Sequence, residues 1–302
     1  MVKNLFTSML GLGAAVILVG APGVGQAQQL TGTLKKIKDT NTLTIGIRES
    51  SIPFSYLDNE QKPVGYAIDI CMRVADNIKK RLNLPKLEVK TTAVTSQTRI
   101  PLVVSGAVDL ECGSTTNTIK RQEQVAFSVA YFIAAVRMAV RANSGIRTLD
   151  DLDGKAVVTT SGTTSDRYIK QNEKGKNINV KNIYAKDHAE SFLSLESGRA
   201  VAFVMDDVLL AGLIARSKNP RDFVIVGPEL SVEPYAVMMR KDDPQFKKVV
   251  DDTLINMMRS GVMASLYTRW FTRSIPPNNV NMNLPLSPSL REAFKNPSDK
   301  GV

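Results

Sequence analysis

The chain has 302 residues, of which 43% are hydrophobic and 23% are charged, and it carries a formal net charge of +10. Its length predicts two domains or one large one. The basic balance would suit nucleic acid, an anionic surface or a small anion, but the sequence has no zinc-finger spacing, basic helix or aromatic stacking motif, which argues against nucleic acid.

The N-terminal residues have the pattern of a secretory signal peptide. Lys3 precedes an apolar run over residues 9–19, and small residues follow that run. The run is too short to span a membrane, and Gly25 and Ala27 suit the −3 and −1 positions of a signal peptidase site. We therefore predict cleavage after Ala27 and export of residues 28–302, rather than a buried N-terminal helix.

The first part of the exported chain alternates strands and helices. "TLTIGIR" predicts a strand over residues 42–48, and "GYAIDICMRVADNIKKRLN" has apolar residues at helical spacing. "LEVKTTAV", "RIPLVVSG" and "AVDLECG" then predict a strand, a short helix and a strand. This βαβαβ order predicts a parallel sheet with right-handed crossovers.

A second series of the same kind begins near residue 138. Its strands and helices are predicted by "KAVVTTSGTTSDRYIK", "INVKNIYA", "HAESFLSLESG", "AVAFVMD", "DVLLAGLIARS" and "DFVIVGP". Two similarly built lobes are therefore expected. Residues 244–271 then predict helix, and the tail rich in proline and asparagine is expected to run over the surface of the first lobe.

The chain has two cysteines, Cys71 and Cys112. An exported protein meets an oxidising compartment, so an even count favours a disulfide. Cys71 lies in a predicted helix and Cys112 ends a predicted strand, and a helix packed on a neighbouring strand can bring two cysteines within bonding range. Two separate buried thiols are the alternative. Two thiols and one distant histidine do not form a metal site, so no metal is expected.

Polar segments follow four of the predicted strands, namely "RESSIPFSY", "TSQTR", "GSTTNTIKR" and "TSGTTSD". Ligands of open α/β sheets bind beyond the carboxyl ends of strands, where hydroxyls and helix-start amides also favour anions. Three of these segments contain an arginine: Arg48, Arg99 and Arg121. Arginine holds carboxylates through two parallel hydrogen bonds. Their shared placement predicts a ligand with more than one negative group, although any one of them alone could be a surface ion pair.

An amine on the same ligand would require an acidic partner. Asp206 directly follows the apolar run "AFVM", so it is a better candidate to point from a strand end into a cleft than Asp207. The alternative is that Asp206 caps the helix that follows it.

Seven motifs occur in the order found in a known family: "RESSIPFSY", "TSQTRIPL", "ECGSTTN", "SGTTS", "AKDH", "ESGRAVAFVMDD" and "RKDDPQFKK". Through them the chain resembles the periplasmic solute-binding proteins of amino-acid ABC transporters, in particular those for glutamate and aspartate. The resemblance covers nearly all of the exported chain. It implies the type II periplasmic binding protein fold: an α/β protein of two lobes, each a mostly parallel sheet flanked by helices, with the ligand cleft between the lobes.

The resemblance also implies how the chain is divided. The chain would cross between lobes near residues 134–140 and 232–238, so that residues 28–136 and 238–302 form lobe 1 and residues 137–237 form lobe 2. The protein would be a periplasmic monomer without a cofactor. Its partners would be the permease subunits of an ABC transporter.

Nine ligand-binding residues are implied by position. They are Ser114, Thr116, Arg121 and Thr164 for the α-carboxylate, Asp206 for the α-ammonium, and Arg48, Ser96, Arg99 and His188 for the side-chain carboxylate of the ligand.

His188 is the only histidine of the chain. As a ligand contact it would donate a hydrogen bond to a carboxylate. That bond is strongest when the ring is charged, and histidine titrates near physiological pH. If the ring must be charged, binding should weaken above neutral pH. An isolated histidine is more often structural, and it is the surrounding motif that favours the ligand role.

The expected function is therefore non-enzymatic binding of L-glutamate and L-aspartate for an importer. One alternative is another amino acid, such as glutamine or asparagine, which would require fewer cations around its side chain. The other is an enzyme of the dehydratase type, because a fold alone does not exclude catalysis. Asp187 and His188 resemble a general-base pair only in being adjacent, and the sequence has no serine nucleophile motif.

Overall fold

The computed structural model describes residues 1–2, 29–175 and 178–302. The helices and strands of the described residues lie in Thr31–Val302, which forms one compact unit. Apart from residues 1 and 2, the predicted signal peptide and its cleavage site after Ala27 lie outside the described residues. No helix in the described ranges is both long and apolar enough to cross a bilayer.

The described chain contains helices and strands in close alternation. The strands are β1 (Thr42–Ile47), β2 (Ser50–Ser51), β3 (Ser55–Leu57), β4 (Pro63–Val64), β5 (Glu88–Ala93), β6 (Leu110–Cys112), β7 (Val125–Phe127), β8 (Phe132–Arg141), β9 (Ala156–Thr160), β10 (Lys181–Ala185), β11 (Ala202–Asp206), β12 (Phe223–Val226), β13 (Val232–Tyr235) and β14 (Met238–Arg240). The α-helices are α1 (Gly32–Thr40), α2 (Tyr66–Arg81), α3 (Arg99–Val104), α4 (Ile119–Gln122), α5 (Thr164–Lys174), α6 (His188–Glu196), α7 (Asp207–Arg216), α8 (Pro244–Arg259), α9 (Val262–Phe271) and α10 (Pro288–Lys295).

The first sheet has the strand order β5–β1–β6–β14–β7. Strand β1 pairs in parallel with both β5 and β6, as the βαβαβ order predicted. The returning strand β14 runs antiparallel to β6 and β7. In β1 the side chains of Leu43, Ile45 and Ile47 are buried, so the strand ends in the core directly before Arg48.

The second sheet has the order β10–β9–β11–β8–β12, and β13 also pairs with β8. Strand β9 is parallel to β10 and β11, which confirms the predicted second series. Strand β8 is antiparallel to β11, β12 and β13. Both sheets are thus parallel on one side and antiparallel on the other. A third, small antiparallel sheet consists of β2, β3 and β4.

The chain passes between the two main sheets at two neighbouring places. Strand β7 of the first sheet ends at Phe127, and β8 of the second begins at Phe132. The return passage lies between Tyr235, the end of β13, and Met238, the start of β14. A hydrogen bond joins the two passages, in which the Tyr131 N–H donates to the Tyr235 carbonyl at 2.9 Å. The exact division into lobe 1 and lobe 2 remains a prediction.

An aromatic cluster packs beside these passages. The ring of Phe54 lies 4.9 Å from that of Phe132, 5.1 Å from that of Tyr235 and 5.6 Å from that of Phe271, measured between centroids. Edge-to-face pairs of this kind contribute about 0.5–1.5 kcal/mol each beyond the area that they bury. The cluster therefore holds β13, and with it the hydroxyl of Tyr235, in a fixed position.

The C-terminal region contains two helices where the sequence pattern predicted one helical stretch over residues 244–271. Gly261, with a φ of 79°, separates α8 from α9. This left-handed conformation suits glycine and ends a helix. The tail contains the helix α10, which the proline-rich sequence did not predict and which packs against α8 and β8.

A disulfide joins Cys71 of α2 to Cys112 of β6, with the two Cα atoms 6.3 Å apart. This confirms the predicted bridge and excludes two separate thiols. Both cysteines are fully buried. The bridge anchors the end of β6, directly before the segment that carries Ser114 and Thr116.

The bridge predicts a difference in stability. Replacing both Cys71 and Cys112 with Ala should lower the free energy of unfolding by about 2–4 kcal/mol, because a loop of this size is no longer closed in the unfolded chain. Urea denaturation of the variant, and of the wild type in its oxidised and reduced forms, would measure the effect. The reduced wild type should approach the variant, whereas equal stability of the oxidised wild type and the variant would contradict the prediction.

Candidate functional site

Five of the predicted site residues lie where strands end or helices begin. Arg48 follows β1 and Asp206 ends β11. Arg99, Thr164 and His188 are the first residues of α3, α5 and α6. Strand ends and helix starts of an α/β sheet meet at one edge, which brings residues distant in sequence to a common place.

The other four predicted residues come from the first half of the chain. Ser96 lies between β5 and α3, Ser114 and Thr116 follow β6, and Arg121 lies in α4. The hydroxyl of Thr118 caps α4 by accepting from the Arg121 N–H at 3.1 Å. Of the nine predicted residues, eight are buried and Thr164 is half-buried.

Arg48 and His188 are in contact although Arg48 follows β1 of the first sheet and His188 begins α6, which packs on the second sheet. Arg48 Nη2 lies 3.4 Å from His188 Nε2. On the other side of the ring, His188 Nδ1 lies 2.9 Å from Thr160 Oγ1, which lies 2.7 Å from Ser191 Oγ. Ser191 in turn donates to the carbonyl oxygen of Asp187 at 2.8 Å.

These hydrogen bonds determine which nitrogen of His188 carries the proton. Ser191 uses its only proton on Asp187, so Thr160 donates to Ser191 and accepts from the Nδ1–H of His188. A guanidinium group has only N–H donors, so Nε2, which lies next to Arg48 Nη2, is the unprotonated acceptor. In this arrangement His188 orients a guanidinium group and does not itself offer a proton at Nε2.

The charge state of His188 differs from the expectation of a charged ring. Burial, followed by the charges of Arg48 and Arg99, lowers the pKa of His188 well below its usual range. The ring is therefore neutral at physiological pH. A contact between His188 and a ligand remains a prediction, but the structure does not support a charged donor.

Arg99 is held by a buried relay. Its Nη1 donates to Thr115 Oγ1 at 2.5 Å, and Thr115 donates to Glu111 Oε2 at 2.5 Å. Glu111 is fully buried in β6. Neither Thr115 nor Glu111 was predicted from the sequence. A signal was present, because Glu111 lies between Leu110 and Cys112 in a predicted strand, and an acidic residue that is buried in a strand requires a partner.

Arg121 forms hydrogen bonds with a segment that follows the first sheet and with one that follows a strand of the second. Its Nη1 donates to the Thr116 carbonyl at 2.8 Å and its Nη2 to the Gly162 carbonyl at 3.3 Å. Gly162 has a φ of +80°, and a Cβ at this position would lie 3.0 Å from the Ser96 carbonyl oxygen, so glycine permits this close approach. Burial, followed by neighbouring cations, lowers the pKa of Arg121 to about 9, which leaves it charged at neutral pH.

Asp206 is a buried carboxyl with hydroxyl partners. Tyr235 donates to its Oδ2 through a short hydrogen bond, and Ser165 donates to its Oδ1 at 3.4 Å. Although Asp206 occupies the N-cap position of α7, its side chain makes no capping hydrogen bond. Burial and the negative charge of Glu233 raise the pKa of Asp206 to about 8.

Glu233 is a site residue that the sequence analysis did not predict. Its Oε2 accepts from Thr116 Oγ1 at 2.5 Å and from Thr164 Oγ1 at 2.8 Å. Thr116 follows a strand of the first sheet, and Thr164 begins a helix beside the second. Glu233 lies in β13, and no local sequence pattern distinguishes it from an exposed strand residue.

Four buried polar atoms of the predicted residues lack a hydrogen-bond partner among the residues that the structure describes. They are Arg48 Nη1, Ser96 Oγ, Arg99 Nε and Ser114 Oγ. A buried polar group without a partner costs about 1–3 kcal/mol, more if it is charged. Burial and the charge of Arg99 lower the pKa of Arg48 only to about 10, so its guanidinium stays charged. A ligand with carboxylate oxygens would complete these donors.

The arrangement therefore suits a small anion that also carries an amine. Arg48, Arg99 and Arg121 supply three buried cations, and Asp206 supplies an acidic group near Arg121. In the described part of the chain, no group of three or more His, Cys, Asp or Glu side chains is placed to hold a metal ion.

A separate cavity of about 480 Å³ lies elsewhere, and none of the nine predicted residues lines it. It is bordered by β8, α7 and the C-terminal residues 284–290. Its charged lining residues are Arg137, Asp207 and Glu229, and most of the others are apolar. Asp207 accepts hydrogen bonds from the N–H groups of Ala135 and Val208.

Comparison with known proteins gives a consistent result. Residues 43–273 match the family described as bacterial extracellular solute-binding proteins, family 3. A relative from Pseudomonas aeruginosa, named L-glutamate/L-aspartate-binding protein, is 50% identical over 296 residues, which are 98% of this chain and 97% of the relative. A relative from Escherichia coli, named glutamate/aspartate import solute-binding protein, is 46% identical over 293 residues, 96% of this chain and 97% of the relative. The solved cysteine-binding protein from Campylobacter jejuni superposes with a TM-score of 0.70 at 29% identity, covering 80% of this chain and 93% of that chain.

The raised pKa of Asp206 predicts an effect of pH on stability. Because its folded pKa of about 8 lies above the ordinary 3.8, the carboxyl stabilises the fold below about pH 4 and loses this contribution as the pH rises to about 8. Asn keeps an acceptor for Tyr235 and has no charge. Asp206→Asn should therefore raise the unfolding free energy of ligand-free protein by about 1–3 kcal/mol more at pH 9 than at pH 5.

Urea denaturation at the two pH values measures this difference. Asp222→Asn, at an exposed position, is the matched control and should show the same stability as the wild type at each pH. An Asp206→Asn variant with the same gain at pH 5 and pH 9 would show that Asp206 titrates as an ordinary carboxyl group.

Proposed function

Because the chain belongs to family 3 of the bacterial extracellular solute-binding proteins, we propose that it binds L-glutamate and L-aspartate and delivers them to an ABC importer. It has the type II periplasmic binding protein fold that the resemblance implied. It is a solute-binding protein and not an enzyme. The observation that carries the choice of ligand is the buried pair Arg48 and Arg99, each with a guanidinium nitrogen that has no partner among the described residues.

The ligand would place one carboxylate between Arg48 and Arg99 and the other at Arg121. Arg48 and Arg99, with the Ser96 hydroxyl, would hold the side-chain carboxylate, while Arg121 would hold the α-carboxylate. Asp206 would pair with the α-ammonium. Charge-assisted hydrogen bonds in a buried cleft are stronger than in water, which would give affinity and selectivity together.

Other amino acids fit this set of charges less well. The side-chain amide of glutamine or asparagine would leave two buried guanidinium groups without a countercharge from the ligand, and such a loss is costly in a desolvated site. A basic side chain would be repelled by Arg48 and Arg99. Aspartate differs from glutamate by one methylene group, a gap that a water molecule can bridge.

The proposal includes export and lobe closure. Residues 1–27 would be removed after Ala27, and the monomer would bind its ligand in the periplasm between lobe 1 (28–136 and 238–302) and lobe 2 (137–237). The hydrogen bond of Arg121 to Gly162 and the contact of Arg48 with His188 support closure, since each joins groups of different sheets. Only the closed form would bring both lobes into contact with the ligand, and the permease subunits would bind that form.

Calorimetry with ligand-free protein tests the proposed ligand. The protein is unfolded, freed of bound ligand and refolded, and it is then titrated with each common amino acid. Glutamate and aspartate should bind at least about 50-fold more tightly than glutamine, asparagine or arginine, because a buried charge without its partner costs about 2–5 kcal/mol. Comparable affinity for glutamine would overturn the assignment.

Replacement of Arg99 tests the same assignment at a single residue. Arg99→Ala should weaken glutamate binding at least about 30-fold, and Arg99→Lys should restore only part of the loss, because lysine lacks the planar fork. Arg221→Ala, at an exposed position, serves as the control. Full recovery with lysine would mean that the two-pronged contact is not used.

Ligand binding should also release a proton. Asp206, with a pKa of about 8, is protonated in the ligand-free protein at pH 6.5 and must ionise to pair with the α-ammonium. Calorimetry in phosphate and in Tris should therefore give apparent enthalpies that differ by the ionisation enthalpies of about one buffer proton. Glutarate, which has no amine, should release none. Equal apparent enthalpies for glutamate in the two buffers would contradict the role of Asp206.

A further inference from the structure

The hydroxyl protons of Thr116 and Thr164 are already used within the protein. Each threonine has one hydroxyl proton, and each donates it to Glu233 Oε2, at 2.5 Å and 2.8 Å. A hydroxyl that donates in this way has only lone pairs left for another partner. Neither hydroxyl can then donate to the α-carboxylate of a ligand, which is the role that the resemblance implied for both.

Glu233 is held firmly in this position. Its other oxygen, Oε1, accepts from the Ser231 hydroxyl, and the side chain is 2% exposed. Its backbone pairs with Ala134 of β8, and its neighbour Tyr235 is packed in the aromatic cluster. A carboxylate fixed by two sheet strands and three hydroxyls is a built feature of the site and not a mobile surface group.

Asp206 lies at the same corner of the cleft. Ser165, the residue after Thr164, donates to Asp206 Oδ1 at 3.4 Å. Tyr235 donates to Asp206 Oδ2, and the backbone of Tyr235 forms a β-bridge with Thr116. Thr164 and Thr116 are thus neighbours, along the chain and across the β-bridge, of the two residues that donate to the carboxyl group proposed to hold the ligand amine.

We propose that Glu233 is a positioning residue for the amino group of the ligand: by accepting the hydroxyl protons of Thr116 and Thr164, it makes both hydroxyls acceptors that join Asp206 in binding an ammonium. This inference deepens the proposed function and rests on it. The α-carboxylate is then left to Arg121 and to Ser114, whose hydroxyl is buried and has no partner among the described residues.

A Glu233 that positions acceptors for an ammonium would affect the choice between ligands with and without an amine, whereas a purely structural Glu233 would not. An ammonium gains from acceptor hydroxyls and from the negative charge of Glu233, whereas a ligand without an amine gains from neither. The protein should therefore prefer glutamate to glutarate, which has the same two carboxylates and no amine. Glu233 should contribute specifically to that preference.

The test compares glutamate and glutarate in the wild type and in Glu233→Gln. The dissociation constants are measured by calorimetry, with glutarate followed by displacement of glutamate. The ratio of the glutarate to the glutamate constant should fall at least about tenfold in Glu233→Gln, because hydrogen bonds to a charged group contribute about 1.5–3 kcal/mol. Glu229→Gln removes the same charge from an exposed position shortly before β13 and should leave the ratio unchanged. Equal weakening of both ligands in Glu233→Gln would overturn the inference.

Substitutions at Thr116 keep the test decisive if Glu233→Gln does not fold. Thr116→Val removes the acceptor hydroxyl and should lower the same ratio about tenfold, while Thr116→Ser should restore it. A Val variant that binds glutamate as well as the wild type, or a Ser variant without rescue, would also overturn it. The wild-type titration separates the two proposals, because absence of glutamate binding there would contradict the proposed function itself.

Discussion

Three guanidinium groups are buried in one place in this protein, and their charges decide what the surrounding residues must supply. Arg48, Arg99 and Arg121 are each almost inaccessible to solvent, and moving an ion out of water costs several kcal/mol even after relaxation. Part of this cost is offset inside the protein, by Glu111 behind Arg99 and by carbonyl oxygens around Arg121. The part that remains is found at Arg48 and Arg99, where two nitrogen atoms lack partners among the described residues. A ligand with two carboxylate groups would complete these hydrogen bonds and offset the buried charge.

The three acidic residues of the site serve different purposes because their surroundings differ. Glu111 lies inside a strand and balances the arginines through the Thr115 hydroxyl. Glu233 accepts from hydroxyls on both sides of the cleft. Asp206 lies close enough to Glu233 for the two charges to repel each other, and this repulsion adds to burial in raising its pKa.

The two passages between the sheets position both the framework and the chemistry. Strand β13 carries Glu233 and Tyr235 within three residues, and the same segment pairs with β8 and packs in the aromatic cluster. A change in the angle between the sheets would therefore move the carboxylate of Glu233 and the phenol hydroxyl of Tyr235 relative to Arg48, which follows β1 of the first sheet. Ligand binding and the proposed closure of the lobes would then be parts of one equilibrium.

Local periodicity and residue type were enough to predict the alternation of strands and helices and the polar segments beyond the strands, and the even number of cysteines favoured a disulfide without excluding two separate thiols. The antiparallel strands β8 and β14, the neutral ring of His188 and the places of Glu111 and Glu233 in the site are seen only in the folded chain. Strand partners, proton positions and pKa values depend on which separate segments meet in the fold, and these can lie more than a hundred residues apart, as Arg48 and His188 do. A pattern read along the chain contains no information on which of these distant groups will meet, or on which of them will carry the proton.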